Sequence, residues 1–370
     1  MSEHDSNRRS APGAALGRTL IIANPVAQSG AGKRIAGQLQ RFLALYHHDN
    51  ASFELVYTEH MGHAVELAEA ARDYDSVLAL GGDGVVHEVA NGIMRIGVEH
   101  RPALGVVPVG SGNDFARTLG LDDYGGKDFA RLLTCERVSL DVGRVTYVPA
   151  TGNEGAEPQG CGQAGQRCTP NSAESSPAPI PSDILPAGEI TGTANDTVTE
   201  YFVQTLSFGL DAAVAIGTVD LRATVALTGA PLYLMSGAGV FLRSFKSYPV
   251  RVSIDGGAAQ ELRTFLMAIQ LGPTYGSGFL ICPEADPADG RFDLCYASGK
   301  ATRAHALALL LRAKNGHHLS SPLIHTATAR HLELAFERDD YPIQADGERI
   351  RARSMTVDLL PGELTVLRPL

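Results

Sequence analysis

Residues 78–93 read LALGGDGVVHEVANGI. An apolar run breaks into Gly81, Gly82, Asp83 and Gly84 and resumes at Val85 with helical spacing, the pattern of strand, glycine turn and helix. Two readings are open. The stretch is a tight turn in which Asp83 caps a helix, or it is a cradle in which free N–H groups and the helix dipole face a phosphate. Glycine suits the second because backbone without a Cβ lets an anion come close. An acidic Asp83 fits an anion site only if it holds a cation such as Mg2+ or orients a donor.

Working outward, a second strand end has the same character. In VPVGSGNDFARTLG, Gly110, Ser111, Gly112 and Asn113 follow the apolar ALGVVPV, and Asn113 or Asp114 caps a helix carrying Phe115 and Leu119. Upstream, the strand TLIIAN ends at Asn24-Pro25 and leads into VAQSGAGKR. That turn imitates a Walker loop without being one: Ala27 and Arg34 stand where Gly and Ser/Thr are required, and Ile35 breaks a dinucleotide fingerprint. Ile35, Leu39, Phe42 and Leu43 share a helix face, SFELVYTEH alternates at the strand period, and a helix is expected over 62–73. The order βαβαβαβ predicts an α/β domain, a parallel sheet with helices on both faces, over residues 18–145. Ligands of such folds sit beyond the carboxyl ends of the strands, where all three glycine-rich turns lie.

Downstream, the strands RVSLDVGRVTYV, YFVQTLSFG, YPVRVSIDG, FLMAIQL, RFDLCYA, HLELAF and MTVDLL, with one or two helices, predict a mainly antiparallel β-sandwich domain over 146–370. Residues 149–198 are rich in Gly, Pro, Ser and Thr and contain no aromatic; they are expected to be a disordered insertion, and residues 1–17 a disordered tail. Residues 223–242 carry no charge, but Gly, Pro and hydroxyls dilute them. A buried or amphipathic helix is expected there rather than a transmembrane segment.

The chain has 370 residues and a formal net charge of −10. Clustered basic residues are needed for nucleic-acid binding, so that class is excluded as a partner. The five cysteines form no CxxC pair and read as reduced thiols of a cytoplasmic protein. Two acidic turns remain. Asp286, Asp289 and Asp293 in CPEADPADGRFD make either a plain turn or an oxygen-rich cation loop. Asp346 and Glu348 in IQADGERI sit across a turn that reads equally as an exposed hairpin. There is no GxSxG elbow and no histidine pair at metal-ligand spacing; His60 and His63 read as helix-entry residues.

NPVAQSGAGK, GGDGVVHEVANGI, VPVGSGNDFARTLG, DPADGRFD and ADGE, in this order, resemble the diacylglycerol kinase catalytic-domain family, which includes bacterial lipid kinases and sphingosine kinases. The resemblance covers about residues 18–147 and 199–370, and GGDG followed by GNDFAR is its specific part. It implies an ATP-dependent lipid kinase of phospholipid biosynthesis. Such an enzyme would phosphorylate a lipid alcohol such as diacylglycerol or a sphingoid base at a membrane surface, with ATP and Mg2+. The resemblance further implies a cytoplasmic protein at the inner membrane face, with a homodimer among its expected states. Carried over by position, Asn24, Pro25, Gly30, Thr58, Gly81, Gly82, Asp83, Gly84, Val85, His87, Glu88, Ser111, Asn113 and Asp114 would bind nucleotide. Asp289, with backbone oxygens near Asp286 and Arg291, would hold a structural Mg2+; Asp83, Asp346 and Glu348 would be catalytic. Val85 and His87 depart from the Thr and Asn frequent in bacterial members, which bears on substrate choice. An NAD kinase-like enzyme shares GGDG but does not call for GNDFAR, and a non-catalytic nucleotide or lipid sensor is the reading from another class.

Overall fold

The computed structural model describes residues 16–45, 52–121, 128–150, 197–224 and 245–370, with side chains from 218 to 224 set aside. The expectations for the N-terminal tail up to residue 15, for 151–196 of the insertion with Cys161 and Cys168, and for 225–242 lie outside the described residues.

Strands β1 (Arg18–Ala23), β3 (Ser76–Gly81) and β4 (Ala103–Pro108) are almost wholly buried. Continuous apolar runs of this kind form strands covered on both faces. With the half-buried β2 (Ser52–Tyr57) they pair in parallel in the order β2-β1-β3-β4. Helices α1 (Ala27–Leu45), α2 (His63–Glu69), α3 (Asp83–Met94) and α4 (Asp114–Thr118) follow the four strands. The helix expected over 62–73 ends earlier, at Glu69. Beyond it the Tyr74 N–H donates to the Ala71 carbonyl, a turn that delivers the Asp75 carboxylate to the N–H of Arg18 at 2.7 Å.

The remaining strands are β5 (Cys135–Pro149), β6 (Val198–Phe202), β7 (Thr205–Gly209), β8 (Tyr248–Ile254), β9 (Gln260–Gln270), the short pair β10 (Thr274–Tyr275) and β11 (Phe279–Leu280), β12 (Phe292–Ser298), β13 (Ile324–Ala329), β14 (His331–Phe336), β15 (Ile343–Ala345), β16 (Glu348–Ile350) and β17 (Ala352–Pro369). Helices α5 (Leu210–Thr224) and α6 (Arg303–Ala313) lie among them. Pairing is antiparallel in the order β16-β15-β7-β9-β8-β14-β17, and β9 also carries β12. The fold is therefore an α/β domain followed by an antiparallel β-sandwich.

The long strands β5 and β17 join the two parts. They pair from Cys135–Pro369 to Pro149–Ala352, and Val366 also pairs in parallel with Leu104 of β4. Their ends enter the first core, where Leu140, Val366 and Leu367 pack with Ile21, Leu78 and Val89. Their other halves enter the second, with Phe202, Phe208, Met267, Phe292 and Met355. Two cores that share two continuous strands resist sliding, which fixes the groups facing each other across the junction.

Candidate active site

The carboxyl ends of β1, β3 and β4 are adjacent, so the three glycine-rich turns converge. Gly82 and Gly110 touch: a Cβ on Gly110 would lie 2.5 Å from the Gly82 Cα. No side chain fits there, which is why both turns need glycine. In the first turn, Gln28, Ser29 and Gly30 are successive left-handed residues with φ of 45°, 56° and 93°. Two of them are not glycine and cost about 1–2 kcal/mol each. The Gln28 Nε2 donates to the Gly110 carbonyl at 2.7 Å, one contact that holds this strained turn against the third.

Asp83 opens α3, yet its carboxylate serves the neighbouring helix. The Asn113 N–H donates to Oδ2 at 2.7 Å, and the N–H groups of Asp114 and Phe115 also favour its charge. Burial and the adjacent Asp114 outweigh them and push Asp83 up to about 7. Asp114 in turn accepts from the N–H groups of Ser277 and Gly278, both at 2.8 Å, and from Arg117 at 2.6 Å. Ser277 and Gly278 lie between β10 and β11, so Asp114 ties the glycine turns to the second domain. Asn113 has a left-handed backbone, φ 55°, and makes no side-chain cap; its Nδ2 closes the turn on the Gly110 carbonyl.

Other expected residues have different neighbours. Val85 is buried and packs beside Gly81, where a Cβ would lie 2.6 Å from Val85 Cγ2. Glu88 accepts from the N–H groups of Gly62 and Ala64, both at 3.1 Å, and so caps α2. The Thr58 N–H continues the β1–β2 ladder to the Ala23 carbonyl. The Ser111 carbonyl accepts from the Ser277 hydroxyl at 3.3 Å. Asn24 uses its side-chain oxygen to accept from the Val26 N–H at 3.0 Å, shaping the turn through Pro25.

The ADGE turn between β15 and β16 reaches the first turn of α3. Asp346 is buried, with a left-handed φ of 49°. Its two oxygens accept from the N–H groups of Val203, Gln204 and Thr205 at 2.8, 3.0 and 2.9 Å, which locks the β6–β7 connection. Glu348 differs. Its Oε1 lies 3.3 Å from where a Gly84 Cβ would stand, directly over the glycine turn. Among the described residues its carboxylate has no hydrogen bond. Burial raises its pKa, neighbouring Glu88, Glu200 and Asp346 add to the effect, and His87 opposes it.

His87 joins these groups. Its Nε2 is 3.1 Å from Glu200 of β6, and its Nδ1 is 3.4 Å from Asp346. Burial disfavours the imidazolium, but the hydrogen bonds and charges of Asp346 and Glu200 prevail and raise His87 to about 10. The two carboxylates thus favour the imidazolium at neutral pH. One turn on, Asn91 Nδ2 donates to the Tyr201 carbonyl at 2.8 Å and Oδ1 accepts from the Tyr201 N–H at 2.9 Å. Tyr147 donates to Glu200 at 3.2 Å. Glu200, Tyr147 and Ser277 escape a sequence reading because no local motif contains them; Gln28, inside NPVAQSGAGK, and Asn91, at i+4 from His87, left a signal.

The turn expected to hold a structural cation carries its own bonds. Asp289 is paired with Arg291 at 3.1 Å and accepts from its N–H at 3.1 Å, while Asp286 accepts from the Ala288 N–H at 3.0 Å. Among the described residues no group of three or more His, Cys, Asp or Glu is arranged to hold a metal. The thiols of Cys282 and Cys295, at the two ends of this turn, are both buried and free.

Fold and site define a protein of an α/β domain and a β-sandwich domain, with glycine turns facing an acidic turn across the junction. The profile described as "Diacylglycerol kinase catalytic domain" matches residues 18–145, and "YegS C-terminal NAD kinase beta sandwich-like domain" matches 204–368. A diacylglycerol kinase of Staphylococcus epidermidis is 36% identical over 339 residues, covering 90% of this chain and 85% of the relative. One from Mycobacterium tuberculosis is 24% identical, with 96% of each chain covered. A crystal structure of a diacylglycerol kinase from Bacillus anthracis superposes with a TM-score of 0.60 at 17% identity, covering 95% of this chain and 97% of the other. The chain belongs to the diacylglycerol kinase catalytic-domain family and is a lipid kinase.

Proposed function

We propose that the chain transfers the terminal phosphoryl group of ATP to the hydroxyl of a lipid alcohol, such as diacylglycerol or a sphingoid base, at the inner membrane face. Nucleotide would lie on residues 18–145 and the acceptor on 146–370. The observation that carries this reading is the unbonded Glu348 carboxylate over Gly84. It sets a proton acceptor beside N–H groups that have no intrahelical partner.

Phosphoryl transfer demands positioning and charge neutralisation more than covalent help from protein. Asn24, Pro25, Gly30 and Thr58 frame one side of the donor site, and Gly81–Gly84, Ser111 and Asn113 the other. Mg2+ would neutralise charge on the transferring group. Asp83 fits it: the carboxylate lies among the glycine turns, and its crowding with Asp114 would be relieved by a cation. The Asp286–Arg291 turn does not fit, since its carboxylates are engaged with Arg291 and backbone, and no step is assigned to it. Glu348 takes the proton from the acceptor hydroxyl; its raised pKa makes it a stronger base than a free glutamate. Asp346, saturated by backbone, holds the turn that presents Glu348. His87 limits how far the acidic cluster raises it.

The test is transfer from radiolabelled ATP to a total lipid extract, with products identified by mass spectrometry. Asp83→Ala abolishes transfer with an unchanged circular dichroism spectrum. Full transfer by that variant sinks the assignment.

A further inference from the structure

We propose that the outer face of α6 docks on an anionic lipid bilayer and brings the cleft to its membrane-resident acceptor. This rests on the lipid-kinase reading above and names the surface through which it operates.

Helix α6 is anchored by Ala306, Leu309 and Ala313, which are buried, the first two beside Phe265 and Ala297. Thr302 and His305 cap its start reciprocally, so the helix is well defined. The other face is apolar where a soluble helix is usually polar. Leu307, Leu310 and Leu311 are 49%, 45% and 70% exposed, and Leu319 nearby is 37% exposed. Positions 307, 310 and 311 follow the i, i+3, i+4 spacing of one stripe. Contiguous exposed leucines mark a surface that meets a partner.

Charge selects the partner. The chain carries a net −10, yet no Asp or Glu stands between Asp293 and Glu333. Within that span Lys300, Arg303, Arg312, Lys314 and Arg330 are all exposed. This exposed apolar helix face thus lies in an acid-free stretch of an acidic protein. Leucines flanked by Lys and Arg match the acyl and headgroup layers of an anionic membrane. Each Lys or Arg near such a surface is worth about fivefold in affinity.

The helix is also wired to the cleft. Lys314, just after α6, donates to the Ser277 carbonyl at 3.4 Å and lies 5.3 Å from the Phe279 ring centre. Ser277 and Gly278 hold Asp114, the neighbour of Asp83. Docking through α6 therefore bears on the loop that closes the glycine turns.

The experiment is co-sedimentation of the full chain with vesicles of phosphatidylcholine, with and without phosphatidylglycerol, for the parent, L307Q/L310Q/L311Q and R303Q/R312Q. Light scattering and transfer to a water-soluble short-chain acceptor are measured alongside. The parent binds the anionic vesicles, and salt weakens it. The leucine variant loses at least about tenfold, since each buried CH2 contributes roughly fourfold; the arginine variant also weakens, and both retain transfer to the soluble acceptor. Equal binding to both vesicle types, or undiminished binding by the leucine variant, overturns the proposal. A change from dimer to monomer with vesicle affinity kept also overturns it, in favour of an interface between two copies. If the parent transfers no phosphate to any acceptor yet binds anionic vesicles through these leucines, the kinase reading fails and the docking surface stands.

Discussion

Asparagine at position 87 removes a buried cation from between two carboxylates. In the folded chain His87 is raised to about 10, against about 6.5 for a free histidine. The native state therefore holds a proton that the unfolded chain releases above about pH 6.5. For a raised histidine the stabilisation is complete below the unfolded value and is lost as pH rises through the folded one. The difference, 10 − 6.5 = 3.5, corresponds at 1.36 kcal/mol each to a ceiling of about 5 kcal/mol. Removing one member of a buried ion pair costs about 3–5 kcal/mol, a similar size. His87→Asn is expected to lose about 3 kcal/mol near pH 6 and progressively less toward about pH 10. Denaturant unfolding of parent and variant at both ends of that window measures it. The kinetic companion is an acid limb of the pH–rate profile moved upward, because His87 lowers the Glu348 pKa. A stability loss that is the same at both pH values refutes the buried imidazolium.

Three further substitutions separate the acidic residues. Glu348→Gln lowers transfer by about a hundredfold or more, as expected for a proton acceptor, with no loss in the unfolding midpoint, since the ionised carboxylate it replaces is disfavoured by burial. Asp346→Asn keeps a residue that tolerates left-handed backbone but removes the charge that three N–H groups share. It loses about 3–5 kcal/mol in denaturant unfolding, with transfer falling in proportion to the folded fraction. Asp83→Asn relieves a carboxylate held near 7 against 3.8 when free. Its ionisation cost begins above the free value and is complete above the folded one, so the variant gains thermal stability on the alkaline side and none near pH 4, while transfer is lost.

Much of this was legible locally. Glycine at 82 and 110 is required wherever two strand-end turns touch, and the apolar runs of β1, β3 and β4 read directly as a covered parallel sheet. What escaped needed distance information. Glu88 lies within the GGDG segment and was expected at the nucleotide, yet its carboxylate caps α2. Asp346 and Glu348 are two residues apart and similar on paper. Three backbone N–H groups from the β6–β7 connection saturate one and leave the other unbonded over Gly84.

The chain order of short-range patterns, strand to glycine turn to helix and then alternating strands, determined the fold class and the gathering of glycine-rich turns at one end of the parallel sheet. Those features depend on backbone sterics and side-chain period, which act over a few residues. Tertiary structure decided which acid is free, that His87 carries charge, and that an acid-free leucine face stands beside the cleft. Each depends on burial and on Coulomb partners more than a hundred residues away, as with His87 and Glu200 or Asp346.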